Sequence, residues 1–227
     1  MHNNEILCRL LAAATLALGA AGAHAQGAAG SWFGGIGVTH IAPDVSSGNL
    51  SPPSAPGTQI DVDSDTQPTI FIGRMITDNW SVEVPIGLGF KQKIQGAGAI
   101  AGVGQIATVR TLPITVFAQY RFFEPTQRIR PYVMLGLTYT YNHDEQGSAT
   151  LNAVNPINPP GGTQIDVENR FSLTPGLGVT AMINERWFVD AQYAKSFLKT
   201  KTTLNTGQTI EAKIDPNVFR LAVGMRF

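Results

Sequence analysis

Trp80-Ser81-Val82-Glu83-Val84-Pro85-Ile86-Gly87-Leu88-Gly89-Phe90-Lys91 alternates from end to end: Trp80, Val82, Val84, Ile86, Leu88 and Phe90 fall on one side, the polar and small residues on the other. A period of two sends successive side chains to opposite faces of a strand, so this segment is a β-strand with one face in an apolar medium. Leu112 to Phe122 repeats the pattern, with Leu112, Ile114, Val116, Ala118, Tyr120 and Phe122 set against Pro113, Thr115, Phe117, Gln119 and Arg121. Phe171 to Ile183 does so again, and Phe219, Leu221, Val223, Met225 and Phe227 close the chain in the same way.

Eight such stretches are expected, near 31–42, 66–76, 80–92, 108–122, 130–142, 169–183, 187–198 and 212–227. Their connections alternate in length. Thr77-Asp78-Asn79, 123–129 and Asn184-Glu185-Arg186 are short, whereas 43–65, 93–107, 143–168 and 199–211 are long. An even strand number with short turns on one side and long loops on the other predicts an all-β fold, an eight-stranded antiparallel transmembrane β-barrel with short periplasmic turns and long extracellular loops. Trp80, Tyr120, Phe122, Trp187 and Phe227 fall at the short-turn ends, and Phe90, Tyr139, Tyr141 and Phe197 toward the other, as two interfacial girdles require. The rise from Trp80 to Phe90, at about 3.3 Å per residue and tilted near 45°, climbs roughly 23 Å, close to the expected apolar band. A secreted β-sandwich explains the alternation but neither the sorting of loops by length nor so little charge on the outward faces.

The beginning of the chain agrees. Arg9, an apolar run from Leu10 to about Gly22, and Ala23-His24-Ala25 form a secretory signal, expected over 1–25, which leaves 26–227 as the barrel. The single cysteine, Cys8, falls inside that leader, so no disulfide or thiolate chemistry is expected of the rest. Lys plus Arg equal Asp plus Glu at 16 each, which gives no basic excess for nucleic acid.

Arg130-Pro131-Tyr132-Val133 with Gly136 and Tyr139, together with Thr77-Asp78-Asn79, Leu112-Pro113, Ile183-Asn184 followed by Trp187, Asp215-Pro216 and the ending Gly224-Met225-Arg226-Phe227, resembles the OmpW family of small outer-membrane barrels. The resemblance covers nearly the whole chain after the leader. It implies localisation in the bacterial outer membrane and passive passage of small hydrophobic compounds, with alkane-uptake members in the family and sideways release of cargo into the membrane. Two departures stand out. Gly35 occupies a position where many relatives carry an inward arginine, which predicts a looser polar network in the lumen, and Met225 stands where an aromatic is usual in the assembly signal that ends at Phe227.

Eight strands leave an interior just wide enough for side chains or one small ligand, which excludes a wide aqueous pore. The face opposite the apolar stripe supplies the lumen. Its candidate solute-lining residues are Ile41, Phe71, Pro85, Pro113, Phe117, Met134, Ala194, Leu198 and Val218. Toward the short turns the inward residues become Glu83, Gln119, Arg121, Asp190, Gln192 and Arg220, which are expected to pair across the lumen as a polar plug below an apolar funnel, because unpaired charges there are costly. Filling and riveting of the barrel explain the same residues without transport. Inward glycines, Gly35, Gly73, Gly136, Gly178 and Gly224 among them, either leave space or relieve curvature.

Gly57-Thr58-Gln59-Ile60-Asp61-Val62 recurs word for word at Gly162–Val167, each copy just before a descending strand. Asp61, Asp63 and Asp65 alternate as cation ligands do, but an EF-hand needs Gly and Glu where Thr66 and Ile72 stand, so these are read as solvated strand extensions with Ile60 and Ile165 walling the funnel mouth. The loop around Ile100, Val103 and Ile106 is apolar, as a lid or as a surface for lipid or a partner. Pro52-Pro53 and the prolines from Pro156 to Pro160 predict irregular caps.

No cofactor, metal or catalytic constellation is expected. Two histidines, His40 and His143, with Ser46, Ser47 and Ser148 in the same loops, do not make a nucleophile and base pair, so the chain is read as no enzyme. Expected partners are small hydrophobic solutes, outer-membrane lipid, lipopolysaccharide and the barrel-assembly machinery. The alternative function is an occluded structural or adhesive barrel whose extracellular loops act as a receptor or contact surface.

Overall fold

Eight long strands pair antiparallel in sequence order, and the last returns to the first to close a barrel. The computed structural model describes residues 29–157 and 159–227, and the leader expected over 1–25 lies outside them. The strands are β1 (Trp32–Ala42), β2 (Ser46–Ser47), β3 (Thr58–Val62), β4 (Asp65–Met75), β5 (Trp80–Gly87), β6 (Phe90–Gly98), β7 (Gln105–Arg121), β8 (Ile129–Gly147), β9 (Ile165–Val167), β10 (Arg170–Met182), β11 (Trp187–Lys195), β12 (Lys199–Leu204), β13 (Thr209–Lys213) and β14 (Asn217–Arg226). The wall runs β1-β4-β5-β7-β8-β10-β11-β14 and back to β1. At the seam Trp32 and Phe227 exchange backbone hydrogen bonds, each 2.9 Å.

The outside is apolar, and charged and polar side chains are gathered in the lower lumen. Ile36, Ile70, Leu88, Leu135, Leu173 and Leu221 are exposed around the wall, Leu88 at 80%, while Glu83, Gln119 and Arg121 are buried within it. Water would not tolerate so continuous an apolar belt, and a bilayer requires it. Paired rings mark both rims: Trp80 against Tyr120 and Tyr120 against Phe122 at 5.2 and 5.3 Å near the short turns, Tyr139 against Phe171 and Tyr193 against Phe219 at 4.8 and 5.0 Å at the other end. The short turns are set by side chains that substitute for missing backbone partners. Thr77 Oγ1 accepts from the Trp80 amide at 2.9 Å, and Asn184 Oδ1 accepts from the Arg186 and Trp187 amides at 2.9 and 2.8 Å.

Above the barrel the long connections fold. β2, β13, β12 and β9 form a second, four-stranded sheet, while β3 pairs with β6, which pairs with β7. They enclose an apolar cluster that includes Val62, Ile94, Ile106, Leu151, Ile165, Leu204 and Ile214. Most of the first copy of the repeated hexapeptide, Thr58–Val62, and the end of the second, Ile165–Val167, are therefore strands of this cap. Ile100 and Val103 pack onto the same cluster, so that loop faces inward and not toward lipid. A short helix, Ala149–Val154, starts on Ser148, whose Oγ accepts from the Leu151 amide at 3.2 Å.

Several boundaries depart from the sequence reading, and two of the expected strands are broken. The final strand does not run unbroken over 212–227: the chain turns at Asp215, with φ of 31°, leaving residues up to Lys213 in the cap sheet and β14 to begin at Asn217. The strand expected over 80–92 breaks at Gly89, where φ is 83°. Around that break the wall is unpaired. β5 bonds β7 only from Trp80 opposite Tyr120 to Glu83 opposite Phe117, and pairing resumes with Phe90 opposite Thr111. The intervening stretches contain Pro85 and Pro113, neither of which has an amide hydrogen to offer a ladder.

Candidate functional site: a lumen divided between cavity and plug

All eight wall strands send side chains into the lower lumen. Arg220 from β14 places Nη2 2.8 Å from Glu83 Oε1 on β5 and 3.3 Å from Asp190 Oδ1 on β11. Asp190 Oδ1 accepts from the Tyr132 hydroxyl of β8 at 2.9 Å, and Oδ2 from Thr180 Oγ1 of β10 at 2.8 Å. Arg121 of β7 donates to Thr180 Oγ1 at 2.7 Å, to Gln119 Oε1 at 2.7 Å and to Ser81 Oγ at 3.2 Å. Its guanidinium lies between the rings of Phe33 from β1 and Tyr132, at 5.1 and 4.8 Å, and that of Arg220 lies 4.5 Å from the ring of Phe71 on β4. Two carboxylates and two guanidiniums thus offset one another inside a shell of hydroxyls and rings, which is the condition under which buried charge is tolerated. Below them Arg130 gathers the turn carbonyls of Asp78 and Phe123 at 2.8 and 2.9 Å.

Above lies a cavity of about 150 Å³. Ile41, Pro85, Pro113, Phe117, Ala194, Leu198 and Val218 line it, and Gln192 and Arg220 face it from below. Phe71 and Met134 are inward and buried but off its wall. Phe71 belongs to an aromatic cluster with Phe33 and Phe188, its ring 6.5 and 6.3 Å from theirs, and Met134 packs with Phe117 and Tyr132 while its Sδ accepts from Gln192 Nε2 at 3.0 Å. Of the six plug residues, Glu83, Gln119, Arg121, Asp190 and Arg220 are joined through these contacts, and Gln192 stands at the boundary.

The cavity wall carries many hydroxyls, and several of them satisfy each other. Thr115, Thr138, Thr174, Ser196 and Ser172 form a chain across β7, β8, β10 and the end of β11 at 2.8 to 3.1 Å, and Thr69 donates to Thr39 at 2.8 Å. Consumed in this way, those hydroxyls make that part of the wall less polar than its composition suggests. A smaller cavity of about 80 Å³ lies in the cap and shares Ile60, Ile94 and Thr202 with the first. Of the repeated hexapeptides, Ile60, Val62 and Val167 line the main cavity and Ile165 the smaller one.

Gly35 does not leave the network loose. A ring carbon of Phe71 comes within 2.9 Å of where a Cβ would sit, so an aromatic residue fills the space and supports Arg220 from beneath. Gly136 and Gly224 are covered likewise by the rings of Phe117 and Phe188, which removes them from the free volume. Sequence reasoning missed Tyr132, Ser81 and Thr180, although strand parity with Met134, Glu83 and Gly178 turns all three inward. Asp61, Asp63 and Asp65 face separate partners, the Val62 amide, Gln95 and the Lys91 amide. His40 Nδ1 is 2.8 Å from Thr66 Oγ1, and His143 stacks on Tyr141 at 5.3 Å.

A profile of the OmpW family matches residues 28–227. Outer membrane protein W of Vibrio cholerae serotype O1 is 30% identical over 98% of this chain and 99% of its own. The dibenzothiophene metabolism operon protein DoxH of a Pseudomonas strain is 26% identical over 86% of this chain and 88% of its own. Among solved structures, OprG of Pseudomonas aeruginosa superposes with a TM-score of 0.79 at 26% identity, covering 90% of this chain and 99% of that one.

Proposed function

The chain belongs to the OmpW family of bacterial outer-membrane β-barrels, and from that premise we propose that it gives small hydrophobic molecules passive passage, through a narrow apolar funnel from which they leave sideways into the membrane. A solute enters through the cap, whose apolar core is continuous with the main cavity through Ile60 and Ile94. It occupies a cavity in which many of the wall's hydroxyls are already paired. The buried charges beneath stop it, because an apolar solute cannot replace the hydrogen bonds it would have to break there.

The observation that carries the lateral exit is the unpaired stretch of wall. Between Glu83 and Phe90 no ladder joins β5 and β6 to β7, and the cavity reaches there to Pro85, Gly87, Gly89 and Leu112, the last from the lipid side of its strand. Passage there breaks no interstrand hydrogen bond. The relative named for a dibenzothiophene metabolism operon supports an apolar cargo.

The test is initial uptake of a labelled hydrocarbon and of a sugar by cells with and without the protein. Faster hydrocarbon uptake with unchanged sugar uptake is expected. No difference in either would favour the second reading, an occluded barrel acting through its loops, for which the ordered four-stranded cap sheet is the supporting feature.

A further inference from the structure

The hexapeptide that occurs twice meets the two cavities in much the same way each time. In the first copy Ile60 lines both cavities and Val62 only the larger; in the second Ile165 lines only the smaller and Val167 only the larger. Residues two apart on a strand share a face, so each copy straddles the level at which one cavity ends and the other begins. Their cross-strand partners stand at that level too. Val62 is opposite Ile94 on β6, Val167 is opposite Thr202 on β12, and Ile94 and Thr202 each line both cavities. Ile60, Ile94 and Thr202 therefore form a waist between the chambers. A register shift beside Ile94 crowds it: β7 carries one extra residue there, so that Ile106 and Ala107, consecutive in sequence, are both buried and both line the smaller cavity.

We propose that this waist is a size filter, and that the cross-section able to pass Ile60, Ile94 and Thr202 decides which apolar molecules reach the larger cavity. This deepens the conduit reading and rests on it. The smaller cavity holds about 80 Å³ and the larger about 150 Å³, and roughly 150 Å³ is the volume at which an enclosed apolar space takes a benzene ring. A single flat ring thus exceeds the first chamber and matches the second, so it passes only as the side chains of the waist give way. Their placement allows this. Ile60 and Ile94 stand on strands of the sheet that continues into the barrel wall, whereas Thr202 stands on the four-stranded cap sheet, and no ladder joins β12 to β3 or β6. The waist therefore opens through side-chain movement without breaking an interstrand backbone hydrogen bond. A globular molecule of equal apolarity needs a wider parting and disrupts more packing contacts on the way. Apolarity admits both, and shape separates them.

The probes are labelled toluene, a flat ring, labelled adamantane, a compact cage, and a sugar, each followed as initial uptake by cells with and without the full protein, at matched amounts of heat-modifiable barrel. The unaltered protein is expected to speed toluene more than adamantane. Ile60→Ala, Ile94→Ala and Thr202→Ala should each raise adamantane relative to toluene, the isoleucine variants by about tenfold, the lower end of what one methylene makes in an apolar site. Sugar uptake should stay as it was. Equal acceleration of toluene and adamantane by the unaltered protein, a ratio unmoved in assembled variants, or sugar uptake that rises together with adamantane, the sign of a cap come apart, would each overturn the filter. Toluene that still enters with its ratio to adamantane unmoved removes the waist and leaves the conduit; if the protein speeds neither hydrocarbon, the conduit reading falls with it. The comparison of toluene with adamantane on the unaltered barrel stands even where a variant fails to assemble.

Discussion

Arg220 reaches across the lumen to Glu83, with Nη2 2.8 Å from Oε1 and both side chains almost wholly shielded from solvent. The two residues belong to strands separated by β1 and β4, so the bond braces the barrel internally and is not a neighbour-to-neighbour contact. Glu83→Ala leaves Arg220 with Asp190 alone and should cost about 3 kcal/mol, the loss expected when one partner of a buried pair is removed. The fall should be seen as a lower temperature of barrel unfolding on unheated gels, with a rise in ion conductance across planar bilayers as the lower lumen loosens.

Ala194 lies in the cavity wall opposite Val218 and is only 2% exposed. Ala194→Trp should fill the solute space, so hydrocarbon uptake falls to the level of cells without the protein while the heat-modifiable barrel stays abundant. Normal uptake by a correctly assembled variant would remove this route.

Pro85 and Pro113 lie within the unpaired wall, one on each side of the gap. Replacing both with threonine restores two amide donors and strand propensity, and each new ladder bond contributes about 1 kcal/mol. The double variant should be more heat-resistant and slower in uptake, a combination that simple damage to the protein does not produce. Faster uptake would show that the gap is no exit.

Phe227 exchanges two backbone hydrogen bonds with Trp32 at the seam. Its deletion removes both, at about 1 kcal/mol each, and takes away the terminal ring of the segment expected to direct assembly. Less folded barrel in the outer membrane is the expected result, measured by gel mobility before and after heating. Undiminished barrel would separate Phe227 from assembly.

Glu145 stands in the part of β8 that rises into the cap, and its carboxylate accepts from the Val167 amide at 3.0 Å. Burial is the main influence on it and pushes its carboxyl above the ordinary glutamate value, outweighing that hydrogen bond. A carboxyl whose folded pKa is raised favours the folded state most below its unfolded pKa, about 4.3. The contribution is lost as pH rises through the raised value. Resistance of the cap to protease should therefore decline over that window, and Glu145→Gln should flatten the decline.

Strand positions and the plug were legible in the sequence because both depend on parity, and parity survives from chain to barrel. Glu83, Arg121 and Arg220 could be placed inside from their neighbours' hydrophobicity alone. The cap was not legible, since β2 meets β13 across most of the chain and neither segment is long enough to show a period. The wall gap stayed hidden for a different reason. Parity turns Pro85 and Pro113 both into the lumen, but their position around one interruption is a matter of register between strands, which the periodicity of a single strand does not carry. The filling of Gly35 by Phe71 has the same origin, since those residues face one another only through the pairing of β1 with β4.

The division of the lumen into a braced lower half and a loosely filled upper half bears on how such a protein can change over generations. Every wall strand contributes to the lower half, so substitutions there threaten the whole architecture together. Positions such as Ala194, Leu198 and Val218 answer to no comparable network, and the cap core above them is apolar packing that tolerates exchanges of similar volume. Substitutions can therefore accumulate in one storey without loosening the other, and a protein engineer could retune the upper rooms without rebuilding the foundation.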